Sequence, residues 1–177
     1  MIQIAEGFGM NILVYDLFKN STLKEYYTSF DTLLRESDII SLHVPSTPSN
    51  YHLLDKKAFN KMKKGVVILN TARGDLIDTP ALYQAILKKK VSAAGLDVME
   101  DEDFLLQDEA IIPACFNNQQ CLLTSTINLK LMQLDNVIVT PHIAFNSFDA
   151  IHRINAITCQ NIRAFLENNP INLQSVH

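Results

Sequence analysis

Short apolar runs alternate with amphipathic stretches along this chain, and that alternation constrains its fold more than any other feature. The runs cover residues 11–15, 39–42, 66–69, 93–96 and 137–140. Most are continuously apolar, as strands of a parallel sheet are when helices cover both faces. Between them, residues 30–35 and 55–62 have helical patterns, and Thr79-Pro80 opens a third helix with a polar N-cap and a proline at the first helical position. Residues 147–166 carry the longest helical pattern, with Ile151, Ile154, Ile157, Ile162 and Phe165 at helical spacing. The expectation is an α/β chain of five parallel strands. Residues 1–9 read as the tail of a helix.

The segment 103–134 fits this alternation least. It starts acidic, is polar at Asn117-Asn118-Gln119-Gln120, and regains a helical pattern over residues 122–134. An insertion of that length usually holds structure of its own or serves a site.

At 177 residues the chain suits one domain, and no linker or internal repeat divides it. A net charge of −4 gives no basic footprint for nucleic acid. Lysines at 56–57, 61, 63–64 and 88–90 flank the expected helices and read as solvated helix ends or, as the less favoured alternative, an anion-binding patch. No apolar run approaches the roughly 18 residues of a membrane span. Cys115, Cys121 and Cys159 lack metal-ligand spacing, so no metal is expected, and their pattern points to a reducing, cytoplasmic setting.

Ligands of a parallel sheet bind beyond the carboxyl ends of its strands, so the residues that follow each run are the candidates for chemistry. Asp16 follows the first run, where a carboxylate either accepts the hydroxyls of an adenine ribose or caps a turn. After the second, His43-Val44-Pro45-Ser46-Thr47-Pro48-Ser49-Asn50 is an extended loop fit to lie along a flat ring, or an ordinary proline-rich turn. Arg73, in Thr71-Ala72-Arg73-Gly74, places a guanidinium fork that either grips a carboxylate through two hydrogen bonds or pairs with Asp75 or Asp78. Asp97-Val98-Met99-Glu100-Asp101-Glu102-Asp103 holds five acids in seven residues, any of which can face an imidazole or water. His142, behind Val139-Thr140-Pro141, is a residue type suited to exchanging a proton with a substrate hydroxyl, or a structural histidine.

Taken together and in this order, Asn70 to Asp78, Gly95 to Glu102 and Asn136 to Phe145 resemble the NAD-binding domain of the D-isomer-specific 2-hydroxyacid dehydrogenases. The resemblance runs from Met1 nearly to the C-terminus. It implies a Rossmann-like, doubly wound parallel sheet and an oxidoreductase that interconverts a D-2-hydroxy acid and a 2-oxo acid. It assigns Arg73 to the substrate carboxylate, His142 to proton donation, and Glu102, five residues after Asp97, to the histidine. Asp16, Val44, Pro45, Asn50, Thr71, Ala72, Arg73 and Asp97 would contact NAD. The 40 residues from Glu102 to His142 resemble the D-lactate dehydrogenase branch.

The family's first strand and G-x-G-x-x-G turn are expected just before Met1, which makes the sheet incomplete. Residues 1–177 then form a single partial NAD-binding domain, with residues 147–177 a helix and tail that contact an absent substrate domain. Alone, this chain is expected to be inactive. Family members pair through this domain, so a homodimer is expected, and the alternative function is a non-catalytic dimerisation or NAD-sensing module of the same fold.

Overall fold

The computed structural model describes residues 1–102 and 118–173. The described residues fall into two compact units, divided between Pro141 and His142.

In the first unit, β1 (Ile39–Leu42), β2 (Val66–Asn70), β3 (Val91–Leu96) and β4 (Val137–Val139) form one sheet in the order β1-β2-β3-β4. All three pairings are parallel, with Ile40 opposite Ile68, Leu69 opposite Gly95 and Ala94 opposite Val137. Parallel neighbours need crossover connections, and helices supply them. After α1 (Ile2–Gly7), α2 (Phe30–Glu36) leads into β1, α3 (Lys56–Lys61) joins β1 to β2, and α4 (Thr79–Leu87) joins β2 to β3. Helix α5 (Gln119–Met132) leads into β4. The neighbours α2, α3, α4 and α5 touch in sequence along one side of the sheet.

Burial follows that arrangement. Ile40 and Leu42, Val66 and Ile68, and Val91, Ala94 and Leu96 are buried with Leu34, Phe59, Leu82 and Leu131. The alternate positions are less covered: Ile39 is 46% exposed and Ile138 is 70% exposed. Among the described residues, therefore, the apolar runs are packed chiefly on one face, and their continuous hydrophobicity overstates the cover.

Among the described residues four strands form where five are expected. The run at 11–15 contributes a single bridge, Val14 to Tyr27, closed by Val14 N to Tyr26 O and Thr28 N to Val14 O. A lone bridge cannot propagate a ladder, and the neighbouring residues leave the strand at Asp16. A hydrogen bond from Tyr26 to Glu6 links the following 3₁₀ turn, Ser21–Tyr26, to α1.

Helix starts are largely as expected, with one correction. Ser29 and Asp55 cap α2 and α3 through Thr32 N and Ala58 N. At α4 the cap is Asp78, bonded to Ala81 N, so Thr79 is already helical and Pro80 sits one position further in. Asp78 competes better because its carboxylate is charged at the positive end of the helix. The lysine clusters include two ion pairs, Lys61 with Asp31 and Lys63 with Asp38. Residues 103–117 of the irregular segment lie outside the described residues; the helix in its second half starts at Gln119, capped by Asn118. Cys159 is an exposed free thiol.

The second unit consists of the residues after Pro141 and α6 (Phe148–Leu166), capped by Ser147 through Ala150 N. No residue of α6 is buried, and Phe148, Ile154, Ile162 and Phe165 are exposed. No described helix is long and apolar enough to cross a membrane.

The two sheet faces predict different mutational costs. Ile68→Ala, at a fully buried site, should destabilise the chain by about 3 kcal/mol, and Ile138→Ala by less than about 0.5 kcal/mol, in urea unfolding.

Candidate active site

The carboxyl ends of β1, β2 and β3 carry three loops that are joined mainly by polar contacts. The loop after β2 begins at Asn70, a fully buried amide that closes an otherwise apolar strand. Its Nδ2 donates to Arg73 O at 2.8 Å, its Oδ1 accepts from Ala72 N at 3.1 Å, and its own carbonyl accepts from Asp97 N at 2.9 Å. One side chain thus shapes the Thr71–Ala72–Arg73 turn while its backbone anchors the start of the next loop.

Arg73 sits at the outer end of that turn, exposed, with Nη1 donating to Ala72 O at 2.6 Å. Neither candidate ion-pair partner engages it among the described residues. Asp75 Oδ2 accepts from Ser46 Oγ at 2.5 Å, and Asp78 caps α4. The guanidinium remains available for a carboxylate from outside. Thr71 is exposed beside it, and Ala72 packs against the core.

Gly74 brings this turn against the loop after β3. A Cβ at Gly74 would lie 2.1 Å from both the carbonyl carbon and oxygen of Met99, and 2.5 Å from Glu100 N. Only hydrogen fits there. In that second loop Asp97 is buried, with Oδ1 accepting from Thr140 Oγ1 at 2.5 Å. Glu102 is half-buried and turns back, Oε2 accepting from Met99 N at 2.9 Å.

Glu100 has a different environment. It is 7% exposed, and its Oε1 accepts from Tyr51 Oη at 2.9 Å and His52 Nε2 at 2.7 Å. Desolvation, then the hydrogen bond to Glu100, pushes the Tyr51 hydroxyl up to about 12. Burial and the neighbouring Glu100 charge also raise Asp101. Nothing in the composition of the acidic run separates these acids, and the structure does so by burial.

The loop after β1 completes this edge. Asn50 Nδ2 donates to Pro45 O at 2.8 Å, and its Oδ1 accepts from Thr47 N at 2.7 Å, so Asn50 shapes the loop that exposes Pro45. Val44 packs against the core. His43 is paired with Ser41 Oγ at 2.8 Å; burial, with the chain's amino terminus, lowers its pKa. At the end of the 11–15 segment, Asp16 Oδ1 accepts from Phe18 N at 2.9 Å, the turn-capping role, while Oδ2 forms no hydrogen bond among the described residues and is free to accept a ribose hydroxyl. The first unit therefore brings Arg73, Asp97 and Glu102 to one edge with the Val44–Asn50 loop. His142 opens the second unit, exposed, at a left-handed φ of 53°.

Sequence reasoning missed Asn70, Tyr51, His52 and the Ser46–Asp75 contact as parts of this edge. A lone amide closing an apolar strand was the available signal for Asn70; the others carry none in sequence. No group of three or more His, Cys, Asp or Glu fit to hold a metal occurs among the described residues.

A parallel α/β sheet with its polar residues gathered at the carboxyl edge defines a Rossmann-type nucleotide-cofactor domain. The family profile of the D-isomer specific 2-hydroxyacid dehydrogenases, NAD binding domain, matches residues 1–144, and the chain belongs to that family. It is 42% identical over 166 residues to a 2-hydroxyacid dehydrogenase homolog of Haemophilus influenzae, covering 92% of this chain and 47% of the relative. It is 44% identical over 151 residues to the hydroxypyruvate reductase of Thermotoga maritima, covering 85% of this chain and 43% of the relative. The crystal structure of the Aquifex aeolicus D-lactate dehydrogenase complexed with NAD and lactic acid superimposes with a TM-score of 0.80 at 39% identity, over 98% of this chain and 53% of that one. The chain spans about half the length of the curated relatives it matches. The cofactor of the matched domain is NAD.

Gly74→Ala should destabilise the chain by about 2 kcal/mol or more, because one of two backbones must move. Gly7→Ala, with nothing within 4 Å of the added carbon and at the end of α1 where alanine is the better helix former, should show no loss of stability in the same urea titration. Alkaline titration supplies a second test. Tyr51 is raised to about 12 in the folded chain, so the stability it contributes is complete below its ordinary value near 10 and is lost as pH rises towards 12. Tyr51→Phe should flatten the fall of melting temperature across that window.

Proposed function

We propose that this chain is the NAD-binding part of an oxidoreductase that interconverts a D-2-hydroxy acid and a 2-oxo acid. The observation that carries the reading is the Arg73 turn. A guanidinium without an acidic partner among the described residues stands at the carboxyl edge of a parallel sheet, its turn shaped by Asn70 and pressed on the loop that carries Glu102. Arg73 grips the carboxylate of the substrate through its planar fork and polarises the adjacent carbonyl. His142 donates the proton to the carbonyl oxygen, and Glu102 is the carboxylate that orients the imidazole. NAD, when bound, supplies or takes the hydride.

For the cofactor, Asp16 holds the adenine ribose, and Val44, Pro45, Asn50, Thr71, Ala72, Arg73 and Asp97 line its path. The carboxylate of Asp16 suits ribose hydroxyls and repels a 2′-phosphate, which favours NAD over NADP. The surrounding residues fit this role: Oδ2 of Asp16 is available, and Asn50 and Asn70 hold their loops open at the same edge. Residues 147–177 contact a substrate domain, for which the exposed apolar side chains of α6 are suited, and two copies of the whole enzyme pair in the cytoplasm. The 177 residues alone turn over little or no 2-oxo acid.

The test is made in the full-length enzyme that carries this domain, by following NADH oxidation with pyruvate and hydroxypyruvate. Arg73→Ala should lower kcat/KM at least about 100-fold, the loss of two charge-assisted hydrogen bonds. An unchanged rate would remove Arg73 from the site. Asp16→Ala should weaken NADH binding while leaving kcat nearly unaltered.

A further inference from the structure

We propose that Glu100 is a positioning residue, whose buried carboxylate locks the loop after β1 to the loop after β3 and so fixes the turn that presents Arg73. The inference rests on the reading of Arg73 and Glu102 as site residues. A carboxylate only 7% exposed is costly unless donors surround it. Here Tyr51 and His52 both donate to Oε1, and Thr79 N, in the first turn of α4, faces Oε2 at 3.4 Å. Asn128, fully buried on α5, donates to the Glu100 carbonyl at 2.7 Å. Glu100 is thereby held through both its side chain and its main chain.

Two routes lead from Glu100 to Arg73. The first is direct contact: the Met99 and Glu100 backbone is the surface on which Gly74 rests. The second runs through His52, whose N–H donates to Asp75 O at 2.8 Å, two residues beyond Arg73. His52 also stacks on Tyr51, ring centroids 3.9 Å apart. Its φ is 53° and that of Asp101 is 55°, left-handed conformations that non-glycine residues keep when their surroundings hold them. Both strained residues adjoin the Glu100 lock, one through its ring and one through the peptide bond. Glu102, next along, receives Met99 N and is fixed by the same turn.

Amide hydrogen exchange on the 177-residue chain tests this without requiring turnover, so a failure here is distinct from an unchanged rate for Arg73→Ala in the enzyme. In Glu100→Gln, the amides of His52, Leu76, Ile77 and Glu102 should exchange at least 10-fold faster, while that of Ile68 in β2 stays within twofold. A uniform change across both sets, or none in either, overturns the proposal, since a residue that acts only through global stability shifts all of them together. His52→Gln should accelerate the same loop amides, and the double variant should match the larger single effect within twofold; multiplied accelerations overturn the lock. Should Glu100→Gln not fold, His52→Gln and Tyr51→Phe carry the same local comparison: faster exchange confined to the loop amides supports the lock, and a uniform change or none overturns it.

Discussion

The carboxyl edge of this sheet depends on the approach of two backbones, at Gly74 and at Met99–Glu100. No side chain fits between them, so the turn that carries Arg73 and the loop that carries Glu102 share one surface. The contact follows from parallel pairing: β2 and β3 end side by side, Asn70 opposite Leu96, and both chains must leave the sheet within a few residues. Asn70 resolves the crowding by turning its own chain back towards Arg73 while its carbonyl receives Asp97 N. An apolar residue at position 70 would bury equally well but would leave the Arg73 carbonyl and Ala72 amide without that partner.

Among the described residues, buried polar side chains lie at strand ends and on the helices that face them. Asn70, Asp97, Glu100 and Asn128 are all buried, and each hydrogen-bonds to a loop or to another member of the group. Hydrogen bonds to a charged group are worth about 1.5–3 kcal/mol each, against a larger penalty for an unpaired buried ion. Such a set stabilises the fold little when complete and destabilises it sharply when broken. It therefore specifies loop conformation more than overall stability.

Much of this was legible in the sequence. Apolar runs marked β1 to β4, and helical patterns over 30–35, 55–62 and 147–166 marked three helices, because hydrophobic periodicity acts within a few residues. Arg73 was legible as a candidate because it follows an apolar run, where ligands of a parallel sheet bind, although an ion pair with Asp75 or Asp78 stayed open until the structure was known. Long-range contacts were not. The run at 11–15 has the composition of a strand but pairs only at Val14, since a ladder depends on a neighbour rather than on propensity. Glu100 and Glu102 are the same residue type two positions apart, and only the reach of Tyr51 and His52, nearly fifty residues earlier, separates the buried acid from the half-buried one.

That separation bears on how one short acidic segment can serve two purposes. Successive residues of an extended loop point to opposite sides, which would set positions 100 and 102 on the same side, but the left-handed φ at Asp101 breaks the alternation and turns the chain between the two glutamates. Glu100 stays with the helix side, against Thr79 and Asn128, while Glu102 folds back on Met99 N. A left-handed non-glycine residue costs on the order of 1 kcal/mol. The surrounding hydrogen bonds offset that strain, and a glycine at position 101 would relieve it at the expense of a looser turn. Asp101 therefore exchanges a small loss of stability for a loop with one conformation, the condition under which a carboxylate at position 102 can be aimed.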